Sequence, residues 1–287
     1  GKVSMDQNGY DRYVEETGEA IDSAESFVRR VLEMTEVGSS YVEKVIDGEI
    51  NEENQDWSLM NSVDAPLIMP VLTPRFVPTC SPELMTALGS ISRKYGVPIQ
   101  SHLSESKGEI AFVKELHPDC STYAGVYDKH GLLHEYTYMA HSVYSDQEER
   151  NLLKAKGVGV CHCASSNYCL SSGIFNSRCF LAEELKVGLG TDVAGGYSCH
   201  MLDALRQSIN ASINCTFNKS IENHPMQTPW VINEFTSPKA KKAKEEQLPL
   251  SWQEAFYMAT LGGAEVLNLD KVVGSFEVGK KVDALVI

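Results

Sequence analysis

Three apolar segments of the chain are each followed by side chains that could hold a metal ion or carry a proton. The side chains are His102, Glu105, His141 and Asp192. A metal-activated water needs an imidazole or carboxylate to hold the ion and a carboxylate to transfer protons. A single histidine after an apolar run is usually a core or loop residue. Three such segments in one chain instead predict a hydrolytic metal site.

These side chains need a scaffold that brings the ends of distant strands together. The sequence alternates apolar strands with helix-length connections throughout. Such alternation predicts an α/β fold with a parallel sheet, in which chemistry takes place at the carboxyl ends of the strands. The predicted strands are 66–76, 97–99, 138–140, 157–163 and 186–190. The predicted helices are 11–34, 81–95, 109–116, 145–156, 180–185, 202–217 and 251–267.

Several helix boundaries have specific capping signals. Ser81, followed by Pro and Glu, is predicted to cap a helix that ends at Gly96. Ser145 and Ser251 each precede an acidic residue by three positions, which predicts two capping boxes. Residues 37–64 are acid-rich and are predicted to be the end of a helical segment followed by a surface loop.

The amino-acid composition limits the classes of partner that the protein could bind. The 287 residues contain 25 Lys and Arg against 39 Asp and Glu, so the formal charge is 25 − 39 = −14. This balance argues against nucleic acid or an anionic membrane as partner. No apolar run approaches the roughly twenty residues of a membrane span. The 8 cysteines are dispersed, which favours free thiols and a cytoplasmic location.

Two further patterns have ordinary explanations. Cys161-His162-Cys163 suggests zinc, but alternate strand residues point to opposite faces, and no second cysteine pair follows at zinc-ribbon spacing. The basic run Lys239–Lys244 is predicted to be a solvated surface loop. We therefore assign neither segment to the chemistry.

Longer motifs around these residues resemble a known family. They are Thr73-Pro-Arg-Phe76, Ser101-His-Leu-Ser-Glu105, Met139-Ala-His141, Cys163 with Ser165-Ser-Asn167, Leu189-Gly-Thr-Asp-Val-Ala-Gly-Gly196 and Ala259-Thr-Leu-Gly-Gly263. The chain resembles the amidohydrolase superfamily of metal-dependent barrels, most closely its guanine-deaminating branch. The resemblance implies a (β/α)8 TIM barrel over residues 1–270. Residues 271–287 would begin a C-terminal strand of the small β-sandwich.

One departure from the family pattern shapes the expectations. The superfamily's first barrel strand ends in His-x-His, which supplies two metal ligands, and this sequence has no such motif. By resemblance, residues 1–5 fall at the third barrel strand. We therefore expect strands three to eight of an N-terminally truncated barrel, without the first part of the sandwich, and inactive on its own.

The resemblance also implies roles for individual residues. His102 and Asp192 would bind one zinc ion, since no lysine stands at the fourth strand to bridge two metals. Glu105 would carry protons, Asp192 would accept the proton of the attacking water, and His141 would stabilise the oxyanion or the hydroxide. His102, Glu105 and Asp192 would also contact guanine. Arg75 would donate hydrogen bonds to the purine carbonyl while Phe76 stacks on the ring. The family further suggests a homodimer.

Simpler or rival explanations exist at each level. Arg75 could form a surface salt bridge, and Glu105 could be a helix N-terminal carboxylate. Another aromatic aminohydrolase or chlorohydrolase activity would use the same scaffold. A non-catalytic paralogue acting in binding or oligomerisation would also explain the missing ligand pair.

Overall fold

A parallel β-sheet organises the chain and aligns its strand ends along one edge. The computed structural model describes residues 1–55, 57, 66–223 and 248–282, with the backbone alone for 218–223. Within these residues, six strands pair in chain order, and every pair is parallel. They are β1 (Lys2–Ser4), β2 (Leu72–Pro74), β3 (Ile99–Leu103), β4 (Thr137–His141), β5 (Gly159–His162) and β6 (Val187–Leu189). The order confirms the predicted α/β fold of the TIM-barrel type.

Helices fill the connections between the strands, and among the described residues three more follow the last strand, β6. They are α1 (Thr17–Leu32), α2 (Glu36–Ile46), α3 (Pro82–Tyr95), α4 (Lys107–Leu116), α5 (Tyr123–Lys129), α6 (Gln147–Lys156), α7 (Ala164–Cys169), α8 (Ser177–Ala182), α9 (Met201–Asn223), α10 (Trp252–Ala259) and α11 (Leu261–Val266). Parallel neighbours need such crossovers, because a tight hairpin can join only antiparallel strands.

Helix α1 shows how the hydrophobic pattern packs against the rest of the fold. Its buried residues, Ala20, Ala24, Val28 and Leu32, recur at every fourth position. Residues four apart lie on one face of a helix, and this face contacts α3, α2 and β1. The amphipathic helix predicted within 11–34 is therefore confirmed. A separate 3-10 turn, Asp11–Tyr13, precedes it.

The acid-rich segment that follows differs from its prediction. Helix α2 is a separate helix, capped by the Thr35 side chain, which accepts a hydrogen bond from the Gly38 amide. A Cβ at Gly38 would lie 2.1 Å from the carbonyl oxygen of Leu32. The glycine thus allows α2 to start directly against the end of α1.

Two of the three predicted caps are confirmed, and the third is wrong by one residue. Ser81 caps α3, Gly96 ends it with φ 57°, and Ser251 forms a complete capping box with Glu254. At α6, however, the Asp146 side chain accepts from the Glu149 amide. Ser145 and Asp146 are both suitable N-cap residues, and the burial of Glu149 in the fold favours the cap at Asp146.

The helix predicted over 251–267 is divided at Thr260. This residue has φ −124° and ψ −97°, which lies outside the helical region. A Cβ at Gly262 would lie 2.9 Å from the carbonyl oxygen of Val187. The second helix, α11, therefore approaches β6 more closely than a continuous helix with side chains would allow.

Some predictions fall where the structure gives no description. The basic run Lys239–Lys244 and residues 283–287 of the C-terminal strand lie outside the described residues. The boundary at residue 270 stays a prediction. Among the described helices, none has the length and apolar character needed to span a membrane.

Candidate active site

Three of the predicted side chains converge at the carboxyl edge of the sheet. His102 lies in β3, His141 ends β4, and Asp192 follows β6. One ligand atom from each lies within 4.8 Å of the others, and within the described residues this is the single group of three or more such side chains. The three residues come from distant parts of the sequence, so the sheet register brings them together.

His102 is oriented by a backbone group. Its Nδ1 lies 2.6 Å from the carbonyl oxygen of Arg75. A carbonyl oxygen can only accept, so Nδ1 carries the proton and Nε2 keeps its lone pair. Burial lowers the pKa of His102, and the neighbouring His141 lowers it further. Both effects favour the neutral imidazole that a metal requires.

His141 lies at the centre of the group. Its side chain is 1% exposed, and its Nε2 is 3.7 Å from Glu105 Oε2 and 3.8 Å from Asp192 Oδ2. Its ring stacks on that of His102 with centroids 5.3 Å apart. On the other side, its Nδ1 donates to Asn167 Oδ1 at 2.9 Å. This bond directs Nε2 towards the two carboxylates.

Glu105 is placed by a left-handed turn at the end of β3. The preceding residue, Ser104, has φ 46°. Glu105 Oε1 accepts a hydrogen bond from Ser172 Oγ at 2.6 Å, while Oε2 faces His141. The carboxylate therefore has one held oxygen and one oxygen directed at the site, and the helix-terminal explanation does not describe its contacts.

Asp192 is placed by a glycine-rich loop with little free space. Its backbone has φ 47°, and its carbonyl accepts from the Gly196 amide at 2.7 Å. A Cβ at Gly195 would lie 2.7 Å from Ser166 Oγ and 2.9 Å from Asp192 Oδ2. The close approach explains why glycines follow the aspartate in the motif.

Arg75 and Phe76 lie beside this group, at the turn after β2. The Arg75 guanidinium lies 4.8 Å from the Phe76 ring centroid, and the Phe76 ring meets His102 edge-on at 6.3 Å. Arg75 is exposed. Among the described residues, its side chain makes no ion pair. Arg75 lines a cavity of about 630 Å³ together with Met5, Asn8, Gly9, Tyr10 and Tyr13.

His162 does not join the group. It is 1% exposed and packs against the Phe175 ring at 4.8 Å. Burial lowers the pKa of His162 to about 3 and raises that of Cys161 to about 12. Both groups are therefore neutral at physiological pH.

Sequence reasoning assigned no role to two residues that contact the site, Asn167 and Ser172, or to Tyr10, which lines the cavity beside Arg75. Asn167 lay within a family motif, and its polar side chain beside a strand end was an available signal. Ser172 and the cavity-lining Tyr10 gave no such signal, because serines and exposed aromatics are common in loops. Their contacts depend on how separate loops meet.

Comparison with known proteins agrees with this architecture. Residues 16–287 match the amidohydrolase family. Guanine deaminases of Dictyostelium discoideum and Homo sapiens are each 38% identical to the chain over its whole length, which spans 52% of theirs. The chain thus spans about half the length of these curated relatives.

A solved structure gives the same result. The crystal structure of guanine deaminase from C. acetobutylicum, with guanine bound in its active site, is 33% identical. It superimposes with a TM-score of 0.71 over 97% of this chain and 53% of that one. Because the family match covers nearly the whole sequence and the fold agrees with it, the chain belongs to the amidohydrolase family.

Proposed function

We propose that the protein hydrolyses guanine to xanthine and ammonia with the help of one zinc ion. The observation that supports this most directly is the convergence of His102, His141 and Asp192 within 4.8 Å beside the Glu105 carboxylate. The guanine deaminases among its relatives support the substrate. Since the chain spans half of their length, the activity is proposed for the protein made from the complete reading frame.

The donor set fits zinc. Zinc accepts imidazole nitrogen and carboxylate oxygen, and catalytic sites combine protein ligands with a water. His102 and Asp192 would hold the ion, and the proton on His102 Nδ1 leaves Nε2 free to do so. When bound, zinc would bring the pKa of water from about 15.7 towards 7. A His-x-His pair would complete the family's ligand set.

The residues of this chain divide the proton transfers. Asp192 accepts a proton from the water that attacks C2 of guanine. Glu105 starts protonated and delivers this proton to the adjacent ring nitrogen. It then takes up the proton of the hydroxyl added at C2 and passes it to the amine, so that C2=O forms, the C2–N bond breaks and ammonia leaves. The proton held by Asp192 finally returns to Glu105. Glu105 Oε2 suits this role because it faces the site. His141 stabilises charge that develops on the attacking oxygen.

Arg75 and Phe76 would select the base. The guanidinium donates to the purine carbonyl, and the Phe76 ring stacks on the heterocycle. Adenine carries an amino group at that position, which cannot accept from Arg75 in the same way. The exposed position of Arg75 and the contact of its guanidinium with the Phe76 ring support this proposal.

The test uses the protein expressed from its complete reading frame. Zinc is determined by elemental analysis, and guanine loss is followed by ultraviolet absorbance. Ammonia release is measured for guanine, adenine and cytosine, and chloride release for a chlorotriazine. We expect stoichiometric zinc and turnover of guanine alone. Turnover of another of these compounds in place of guanine would establish the alternative aminohydrolase or chlorohydrolase activity. A reading frame without His-x-His, with no turnover, would establish the non-catalytic paralogue. Dimerisation and cytoplasmic location stay predictions.

A further inference from the structure

The proton-carrying carboxylate is held by a loop far away in sequence. Ser172 lies 67 residues after Glu105, yet its hydroxyl donates to Glu105 Oε1 at 2.6 Å. Ser172 is 7% exposed. Because this bond occupies Oε1, the oxygen that remains free is Oε2, the one that faces His141 at 3.7 Å.

Ser172 is itself fixed from two directions. Its amide donates to the carbonyl oxygen of Asn167 at 2.9 Å, and its own carbonyl accepts from the Tyr144 hydroxyl at 2.7 Å. Asn167 is also the residue that orients His141. Helix α7 and the turn after it therefore position both polar groups that face each other across the site.

Tyr144 connects this loop to the turn that carries Glu105. Its backbone amide donates to the carbonyl oxygen of Ser104 at 3.0 Å, while its hydroxyl reaches Ser172. Gly173 gives the hydroxyl its space, since a Cβ there would lie 2.5 Å from Tyr144 Oη. Its φ of 145° also disfavours any other residue. Tyr144 thus links the loops that follow three different strands.

The turn is also fixed from behind by a buried carboxylate. Ser104 Oγ donates to Glu149 Oε2 at 2.8 Å, and the Ala124 amide donates to Glu149 Oε1 at 2.8 Å. Glu149 is 4% exposed. These bonds support the left-handed conformation of Ser104, which a residue other than glycine adopts only at a cost.

We propose that Ser172 and Tyr144 are positioning residues that hold Glu105 so that Oε2 alone serves the proton transfers. This inference rests on the proposed function. Ser172 contacts Glu105 directly, and Tyr144 acts through Ser172 and Ser104. Proton transfer depends steeply on geometry, and a displacement of about 1 Å can cost 100-fold in rate.

The kinetic test compares S172A and Y144F with matched controls in the protein made from the complete reading frame. S171A removes a hydroxyl from the exposed neighbouring residue. Y95F removes a buried hydroxyl at the end of helix α3, where Tyr95 donates a hydrogen bond to Glu25 of helix α1. We expect S172A and Y144F to lower kcat for guanine by about 10- to 100-fold, with KM changed by less than about threefold. The controls should keep normal kcat, and every variant should keep its zinc.

Two further measurements separate positioning from general damage. In an E105Q background, S172A should lower kcat no further, because both changes act on one group. Hydrogen–deuterium exchange of the peptide covering residues 103–107 should become faster in S172A and Y144F and stay unchanged in S171A. An additional tenfold loss in the E105Q background, loss of zinc, or unchanged kcat and exchange would each overturn the proposal. If the unmodified protein does not deaminate guanine, the proposed function fails, and the exchange measurement still decides whether Ser172 and Tyr144 hold the turn.

Discussion

Replacing Glu105 with Gln tests the assignment of the proton carrier with the smallest possible change in shape. The amide oxygen of Gln can still accept from Ser172 Oγ, as Oε1 does at 2.6 Å. An NH₂ group would then take the place of Oε2, which faces His141 Nε2 at 3.7 Å. The side chain should keep its position but lose the atom that takes up and releases the proton.

The expected loss follows from the role. General acid–base catalysis by one group contributes about 10²- to 10⁴-fold. At about 1.36 kcal/mol per factor of ten, this corresponds to roughly 2.7–5.4 kcal/mol of activation free energy. Zinc content should not change, because Glu105 lies outside the group formed by His102, His141 and Asp192. Folding should lose on the order of 1 kcal/mol, since a charge-assisted hydrogen bond becomes a neutral one.

The assay is steady-state loss of guanine absorbance, with zinc per protein measured on the same preparations. E115Q is the matched control, because Glu115 is an exposed carboxylate on α4. It should retain the kinetics of the unmodified protein. If E105Q kept kcat within about threefold of normal, or lost zinc together with turnover, Glu105 would not be the proton carrier.

Three other outcomes follow from the site and its surroundings. Arg75→Ala should lower kcat/KM for guanine by an amount equivalent to about 1–3 kcal/mol of transition-state stabilisation, without loss of zinc. Arg75→Lys should restore only part of kcat/KM, because the lysine ammonium lacks the planar fork of the guanidinium. Loss of zinc in these variants would instead make Arg75 a structural residue. Burial raises the pKa of Glu254, but bonds from Arg178 and Ser251 outweigh it and lower the pKa to about 2. The folded pKa lies below the unfolded one, so the stabilisation is present above about pH 4.5 and is lost towards pH 2. Glu254→Gln should therefore lower Tm at pH 7. Melting curves at pH 7, 4 and 3 should show that the difference in Tm between the unmodified protein and the variant shrinks as the pH falls. A Tm difference that stays constant would contradict this prediction. The 287 residues alone should bind zinc substoichiometrically and form no xanthine, as elemental analysis and absorbance would show, because only the ligands His102 and Asp192 are present, with His141 nearby, and the sequence has no His-x-His pair.

The sequence was sufficient to predict which strand ends carry chemistry, and the reason is geometric. A short apolar run between helix-length connections is typical of a buried parallel strand, and parallel strands align their carboxyl ends. The convergence of His102, His141 and Asp192 was therefore predictable from order and residue type. Asn167 and Ser172 were not assigned roles, because their partners lie 26 and 67 residues away, and no local pattern specifies those contacts.

The cap of α6 shows where local reasoning reaches its limit. Ser145 and Asp146 are both good capping residues, and each has a Glu three positions later. What distinguishes them is tertiary: capping by Asp146 places Glu149 inside the fold, where it binds Ser104 and the Ala124 amide. The shift of one residue thus determines which glutamate supports the turn before Glu105. Side chains that perform chemistry are restricted to few residue types and can be found by type, whereas the groups that aim them can be any donor or acceptor in reach. The fold must therefore be known before the groups that position a site can be named.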